Sequence, residues 1–238
     1  MYMSSALRAP PVNRILAALP KEDYRRLLPS LEIVPLIFGE MIYECGDLIR
    51  HTYFLNSGII SLLATVADRA SLEVGLVGYE GMVGLPVFMG VKSSRERAVV
   101  QGSGVAMRMK AANFRHECNN GRALSRLLRR YSHSRLTQIS QGAACNRFHS
   151  IASRLARWLL MTRDRMESDE FRLTQDFLSN MLGVRREGVN KAARALQQQN
   201  LIKYSRGIIT ILDRPRLERV ACPCYEIIKE EYQPSLAL

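Results

Sequence analysis

Between Thr174 and Ile202 the chain reads TQDFLSNMLGVRREGVNKAARALQQQNLI, and no other stretch narrows the possible folds so far. Apolar residues recur at helical spacing on either side of Gly183, so two short helices with a break between them are expected. Thr174 suits the N-cap of the first helix, because its hydroxyl can accept a backbone N–H one turn on. Asp176 then faces the positive end of the helix dipole. Leu178 and Leu182 share one face, and Ser179 is small enough to let a second helix cross closely. Gly183 can take the left-handed conformation that a tight turn between steeply crossed helices needs. Val184, Val189, Ala192 and Leu196 point back at the first helix, which leaves Arg185, Arg186, Glu187, Asn190, Lys191 and Arg194 outside.

That outer face carries the chemistry of base recognition. Arginine donates two bonds to guanine, asparagine pairs with adenine, glutamate accepts from the cytosine amine, and lysine meets phosphate as a point charge. Placed at the start of the second helix, these groups match helix-turn-helix docking, in which that helix enters the major groove by its N-terminal residues. The alternative is a merely solvated basic face; the turn glycine, the small residue and the phased apolar positions weigh against it. Gly188 costs the helix roughly 1 kcal/mol against alanine and reads either as room for a close backbone approach or as neutral variation. Beyond it, Leu201–Tyr204 and Ile208–Leu212 around Ser205-Arg206-Gly207 read as strand, tight turn, strand. Such a hairpin is a wing, with Arg206 near phosphate.

The segment resembles the DNA-binding domain of the cyclic-AMP receptor protein / FNR (Crp/Fnr) family of bacterial transcription regulators. The likeness rests on the threonine-opened first helix, the Gly183 turn, the Arg186-Glu187 pair and the closing Gln199-Asn200-Leu201-Ile202. It implies base readers at Arg186, Glu187 and Asn190, and backbone contacts from Arg185 and Lys191. Thr174, Gln175 and Arg206 complete the expected DNA-binding set. The family usually has threonine or serine where this chain has Gly188.

Length and charge agree. The 238 residues suffice for two modest domains, and a net charge of +12 favours a polyanionic partner and salt-sensitive binding. No apolar run reaches the length of a membrane span, and the first residues lack the apolar core of a signal peptide, so a cytoplasmic protein is expected. From Glu32 to Lys110, short apolar runs punctuated by glycines indicate a sandwich or jelly roll. Gly39-Glu40, Cys45-Gly46-Asp47 and Tyr53-Phe54-Leu55 resemble the cyclic-nucleotide-binding-like barrel that senses effectors in the same family.

The expected fold is therefore α+β: an N-terminal cyclic-nucleotide-binding-like β jelly-roll barrel, a long dimerisation helix and a C-terminal winged helix-turn-helix domain. In order, residues 1–12 form a flexible tail and 13–120 the sensing barrel with short N-terminal helices. Residues 121–143 form the dimerisation helix and its hinge at Gln141–Ala144, 144–216 the winged domain with its helix-turn-helix at about 174–196, and 217–238 a tail helix. The long helix, opening at Asn119 or Asn120, carries Leu124, Leu127, Leu128 and Tyr131 on one stripe; the resemblance implies a homodimer through it, although packing on the barrel is the alternative. RNA polymerase is the further partner the family implies.

An effector pocket falls on Glu80, Gly81, Met82, Arg95 and Arg97. Glu96 beside either arginine would repel a phosphate, so an ordinary cyclic nucleotide is not expected. Cys222-Pro223-Cys224 is too tight for an ordinary zinc pair and no second pair stands near it in sequence. No cysteine precedes Cys45, which excludes the N-terminal iron–sulfur cluster of oxygen-sensing members. Cys45 with His51, His116 with Cys118, and Cys145 with His149 read as structural, and no cofactor is expected. There is no nucleophile elbow, phosphate loop or HExxH pattern. The competing class is a cupin-like metal-dependent enzyme, for which the strands supply almost no histidine; a barrel that senses nothing is a third case.

Overall fold

The computed structural model describes residues 12–65 and 71–232. The expected tail at 1–12 thus lies outside the described residues except for Val12, as does the end of the tail helix beyond 232. Asn13 anchors the first helix. Its Oδ1 accepts the Leu16 amide at 3.2 Å, capping α1 (Arg14–Ala17), while its Nδ2 donates to the carbonyls of Leu55 and Gly81 at 2.9 and 2.8 Å. A fully buried asparagine therefore ties this first helix to two strand ends. Helix α2 (Lys21–Leu27) follows Pro20.

Eight strands follow among the described residues: β1 (Leu31–Leu36), β2 (Met41–Tyr43), β3 (His51–Leu55), β4 (Ile59–Thr65), β5 (Ser71–Val77), β6 (Met82–Val83), β7 (Glu96–Gly102) and β8 (Gly104–Lys110), with the short helix α3 (Leu85–Phe88) between β6 and β7. They make two antiparallel sheets, ordered β1-β8-β3-β6 and β2-β7-β4-β5. Each apolar run read from the sequence became a strand. The barrel did not follow: among the described residues neither sheet closes, β1 and β6 being the edges of one and β2 and β5 the edges of the other. Closure needs strands long enough to stagger around a ring, and β2 and β6 have three and two residues. The domain is a pair of open sheets over a shared core.

After α4 (Ala111–Asn120) comes α5 (Arg122–Phe148), 27 residues without interruption. Two expectations change here. Leu124, Leu127, Leu128 and Tyr131 are buried within the chain, and the Tyr131 hydroxyl donates to the Met82 carbonyl at 3.1 Å. This stripe serves the protein's own core and not a seam with a second copy. The expected hinge at Gln141–Ala144 is continuous helix, because one glycine costs a long helix only about 1 kcal/mol. The break falls instead at His149 and Ser150, both extended, and Ser150 caps α6 (Ile151–Met166) by accepting the Ser153 amide at 3.2 Å.

Helix α6 is the spine of the C-terminal half. Leu155, Ala156, Trp158, Leu159 and Leu160 are buried along it, and a left-handed Glu167 ends it. Strand β9 (Glu170–Arg172), which periodicity did not reveal, leads into α7 (Gln175–Leu182) and α8 (Arg186–Gln198). Strands β10 (Ile202–Ser205) and β11 (Ile208–Ile211) follow, and β9 joins them as β10-β11-β9. Helices α9 (Arg214–Val220) and α10 (Cys224–Tyr232) return the chain to α6 and α5.

Candidate nucleic-acid interface

Local chemistry sets the angle between α7 and α8. The Thr174 hydroxyl accepts the Phe177 amide at 3.1 Å, the expected cap. At the other end Gly183 sits at φ 60° and ψ 41°, the Val184 amide donates to Ser179 and the Gly183 amide to Asn180, which is a Schellman close. Arg154, buried on α6, donates to the Leu182 carbonyl and so satisfies another orphan acceptor at that helix end. Nothing in the spacing of the sequence singled out Arg154. Leu178 and Leu182 of α7 and Val189, Ala192, Ala193 and Leu196 of α8 are buried, so the apolar face turns inward as read.

The polar face turns outward. Arg185, Arg186, Glu187, Lys191 and Arg194 are exposed and Asn190 is half-buried. Arg186 is already oriented: its Nε donates to Gln175 Oε1 at 3.0 Å, and its Nη1 lies 3.6 Å from Asp176 Oδ1. Helix α8 has no side-chain cap, so its first amides face solvent beside these cations. The hairpin turns through Arg206 and Gly207, both at positive φ (51° and 77°), a two-residue loop of the type I′ kind. Between helix and hairpin lies a cleft of about 460 Å³ lined by Thr174, Gln175, Asp176, Arg186, Tyr204 and Arg206.

Gly188 has a different role from the one its position suggested. A Cβ there would meet Ile151 Cδ1 at 2.9 Å, so the missing side chain makes room for the start of α6 and not for an outside backbone. Gly183 is exposed, but a Cβ there would meet Leu72 Cδ1 at 2.7 Å; with the Phe38–Phe177 ring contact at 6.4 Å, this close approach docks α7 on the sheet domain.

The residues read as an effector pocket are engaged elsewhere. Glu80 Oε1 accepts from Arg165 Nε at 2.7 Å, both groups being buried, and lies on a cavity of about 260 Å³ with Tyr79, Arg165, Tyr225 and Tyr232. Gly81 and Met82 pack against Tyr131. Arg97 pairs with Glu44 at 2.7 Å, and Arg95 is exposed with its carbonyl accepting from the Cys45 thiol.

The expectation of no cofactor site is overturned. Cys145 and His149 at the end of α5 meet Cys222 and Cys224 at the junction of α9 and α10, and the four donor atoms lie within 4.8 Å of one another. The two pairs lie 73 residues apart in sequence, and folding supplies the second pair that the Cys222-Pro223-Cys224 run lacks on its own. The donor set is not of the iron–sulfur type.

The class the fold defines is a winged helix-turn-helix unit joined by long helices to a two-sheet domain. Residues 153–220 match the model of the Crp-like helix-turn-helix domain. Over most of its length the chain has the fold of a transcriptional regulator of the Crp/Fnr family from Eubacterium rectale, with 19% identity, 85% of this chain and 94% of that one covered, and a TM-score of 0.66. FixK2 from Bradyrhizobium japonicum is similar at 16% identity, 81% and 98% coverage and a TM-score of 0.68. A CRP-family transcriptional regulator from Thermus thermophilus, TTHB099, is similar at 21% identity, 79% and 96% coverage and a TM-score of 0.65. No curated protein matches the chain. The chain therefore carries a Crp-like helix-turn-helix domain at 153–220, within a fold that it shares with solved regulators of the Crp/Fnr family.

Proposed function

We propose that this protein is a DNA-binding transcription regulator that acts as a homodimer on an inverted-repeat DNA site, with the two copies of α8 in successive major grooves about 34 Å apart. Arg186, Glu187 and Asn190 meet base edges, while Arg185, Lys191, Thr174, Gln175 and Arg206 hold the sugar-phosphate backbone. The observation that carries this is the outward, partly pre-oriented guanidinium of Arg186, braced by Gln175 at the start of α7. A braced side chain loses less rotamer entropy on meeting a guanine than a free one.

The dimer forms through the outer face of α5. Leu136 and Ile139 are 59% and 37% exposed. Counted along the helix, Ser125, Arg129, Ser132, Leu136, Ile139 and Ala143 alternate by four and three residues, the spacing of a two-stranded seam. The effector is not an ordinary cyclic nucleotide: Glu80 is committed to Arg165 and Arg97 to Glu44, so neither is free for a ribose or a cyclic phosphate.

Selection of sites from random duplex DNA tests the proposal. A palindromic consensus with half-sites one helical turn apart is expected; a consensus without two-fold symmetry, or no enrichment, refutes it.

A further inference from the structure

We infer that Cys145, His149, Cys222 and Cys224 form a Zn²⁺ site that fastens the C-terminal helices to the end of α5. The geometry suits a tetrahedral ion. Zinc–sulfur bonds of about 2.3 Å and zinc–nitrogen bonds of about 2.0–2.1 Å put ligand atoms roughly 3.5–3.8 Å apart at the corners of a tetrahedron. Here Cys145 Sγ and Cys222 Sγ are 3.3 Å apart, Cys224 Sγ and His149 Nδ1 are 3.5 Å apart, and no pair among the four exceeds 4.8 Å. Small adjustments bring them to a common centre.

The surroundings fit a bound cation better than packed thiols. The three sulfurs are buried in a cluster of their own, apart from the main core, and His149 turns a ring nitrogen toward them. Gln141 Nε2 donates to Cys224 Sγ at 3.2 Å, the kind of outer hydrogen bond that steadies a thiolate ligand. Three thiols binding Zn²⁺ give up three protons to solvent, and with a neutral imidazole the centre carries one net negative charge. Arg154 and Arg157 of α6 supply positive potential beside it. A disulfide between Cys145 and Cys222 would account for two of the four groups and leave Cys224 and His149 without a role. Three thiolates with one imidazole are also a donor set that zinc favours over magnesium or calcium.

The ion would close a loop between residues 145 and 222. It would place the start of α10 against the last turn of α5; at the far end of α10 the Tyr232 hydroxyl donates to Gln138 Oε1 at 3.3 Å and the Ser134 hydroxyl to the Glu231 carbonyl at 3.4 Å.

The test uses the full chain, purified with reductant and without chelator. Elemental analysis should return one zinc per chain, and replacement by Co²⁺ should give the intense visible bands of a tetrahedral thiolate site with a sulfur-to-metal charge-transfer band in the near ultraviolet. Removal of zinc by a strong chelator should lower the melting temperature by roughly 5–15 °C, restored by Zn²⁺ and not by Mg²⁺. Cys222→Ser with Cys224→Ser should abolish the cobalt spectrum, while Cys45→Ser with Cys118→Ser should keep it. Should the double variant fail to fold, the spectrum of the unaltered chain decides. Zinc well below one per chain, another metal in its place, or a weak octahedral cobalt spectrum overturns the inference. None of these measurements depends on DNA binding.

Discussion

Glu73 should make the stability of this protein fall as pH rises from about 4.5 to about 7. Its carboxylate lies between β5 and α6, where Oε2 accepts from the Ser61 hydroxyl at 2.7 Å and Oε1 from the Trp158 indole at 2.9 Å. Burial pushes the carboxyl up from 4.5 to about 7, against those two donors and the charges of Arg157 and Arg165. The folded chain therefore keeps a proton that the unfolded chain releases. The stabilisation is complete below about 4.5, is lost as pH rises through about 7, and is flat above. At about 1.4 kcal/mol for each tenfold change in proton activity, that interval is worth at most about 3.5 kcal/mol. The chain has one tryptophan, and it is the residue bonded to Glu73, so urea unfolding followed by its emission reads the site directly. Glu32, held low by Arg108, pulls stability the other way in acid, which makes the difference between wild type and Glu73→Gln the quantity to plot. That difference should change by about 1–3 kcal/mol across the window, and native-state emission should titrate near pH 7 in wild type alone. A difference curve independent of pH, or one that slopes the other way, refutes the reasoning.

Three further outcomes are expected. Arg186→Ala should weaken binding to the selected site by about 1–3 kcal/mol and relax the base preference, whereas Lys191→Ala should weaken all duplexes alike and flatten the salt dependence, as read by titration at several ionic strengths. Leu136→Glu with Ile139→Glu should give monomers in sedimentation with the helix content of wild type; dimers of unchanged strength would move the seam elsewhere. Gly183→Ala should cost about 1–2 kcal/mol for a side chain at positive φ, plus a steric part from Leu72 that Leu72→Ala removes, so that a double-mutant cycle shows coupling between them.

The helix-turn-helix was legible because its signals are local. A cap, a turn glycine and phased apolar positions lie within 29 residues, and each does in the structure what its chemistry requires. Periodicity also showed that Leu124, Leu127, Leu128 and Tyr131 share a stripe, but it carries no information about what covers that stripe. In the fold that cover comes from the chain's own sheet domain and from α10. Gly188 shows the same gap: the cost of a glycine is visible in sequence, while the methyl group of Ile151 that requires it is 37 residues away. The pairs Glu80–Arg165 and Glu73–Trp158 join residues 85 apart, and the cysteine–histidine cluster joins two segments that neither spacing nor composition links. Whether sheets close is likewise decided by strand lengths at the edges, which short apolar runs leave open.

The unbroken course of α5 has a mechanical consequence. At about 1.5 Å per residue it is a rod about 40 Å long, wedged under the sheet domain near Tyr131 and ending beside the thiols at Cys145. A rod without a joint does not fold under load; it rolls or slides as a piece. Any displacement imposed at its sheet-bound end thus arrives undiminished at the two extended residues, His149 and Ser150, from which the helix bearing the whole recognition unit is hung.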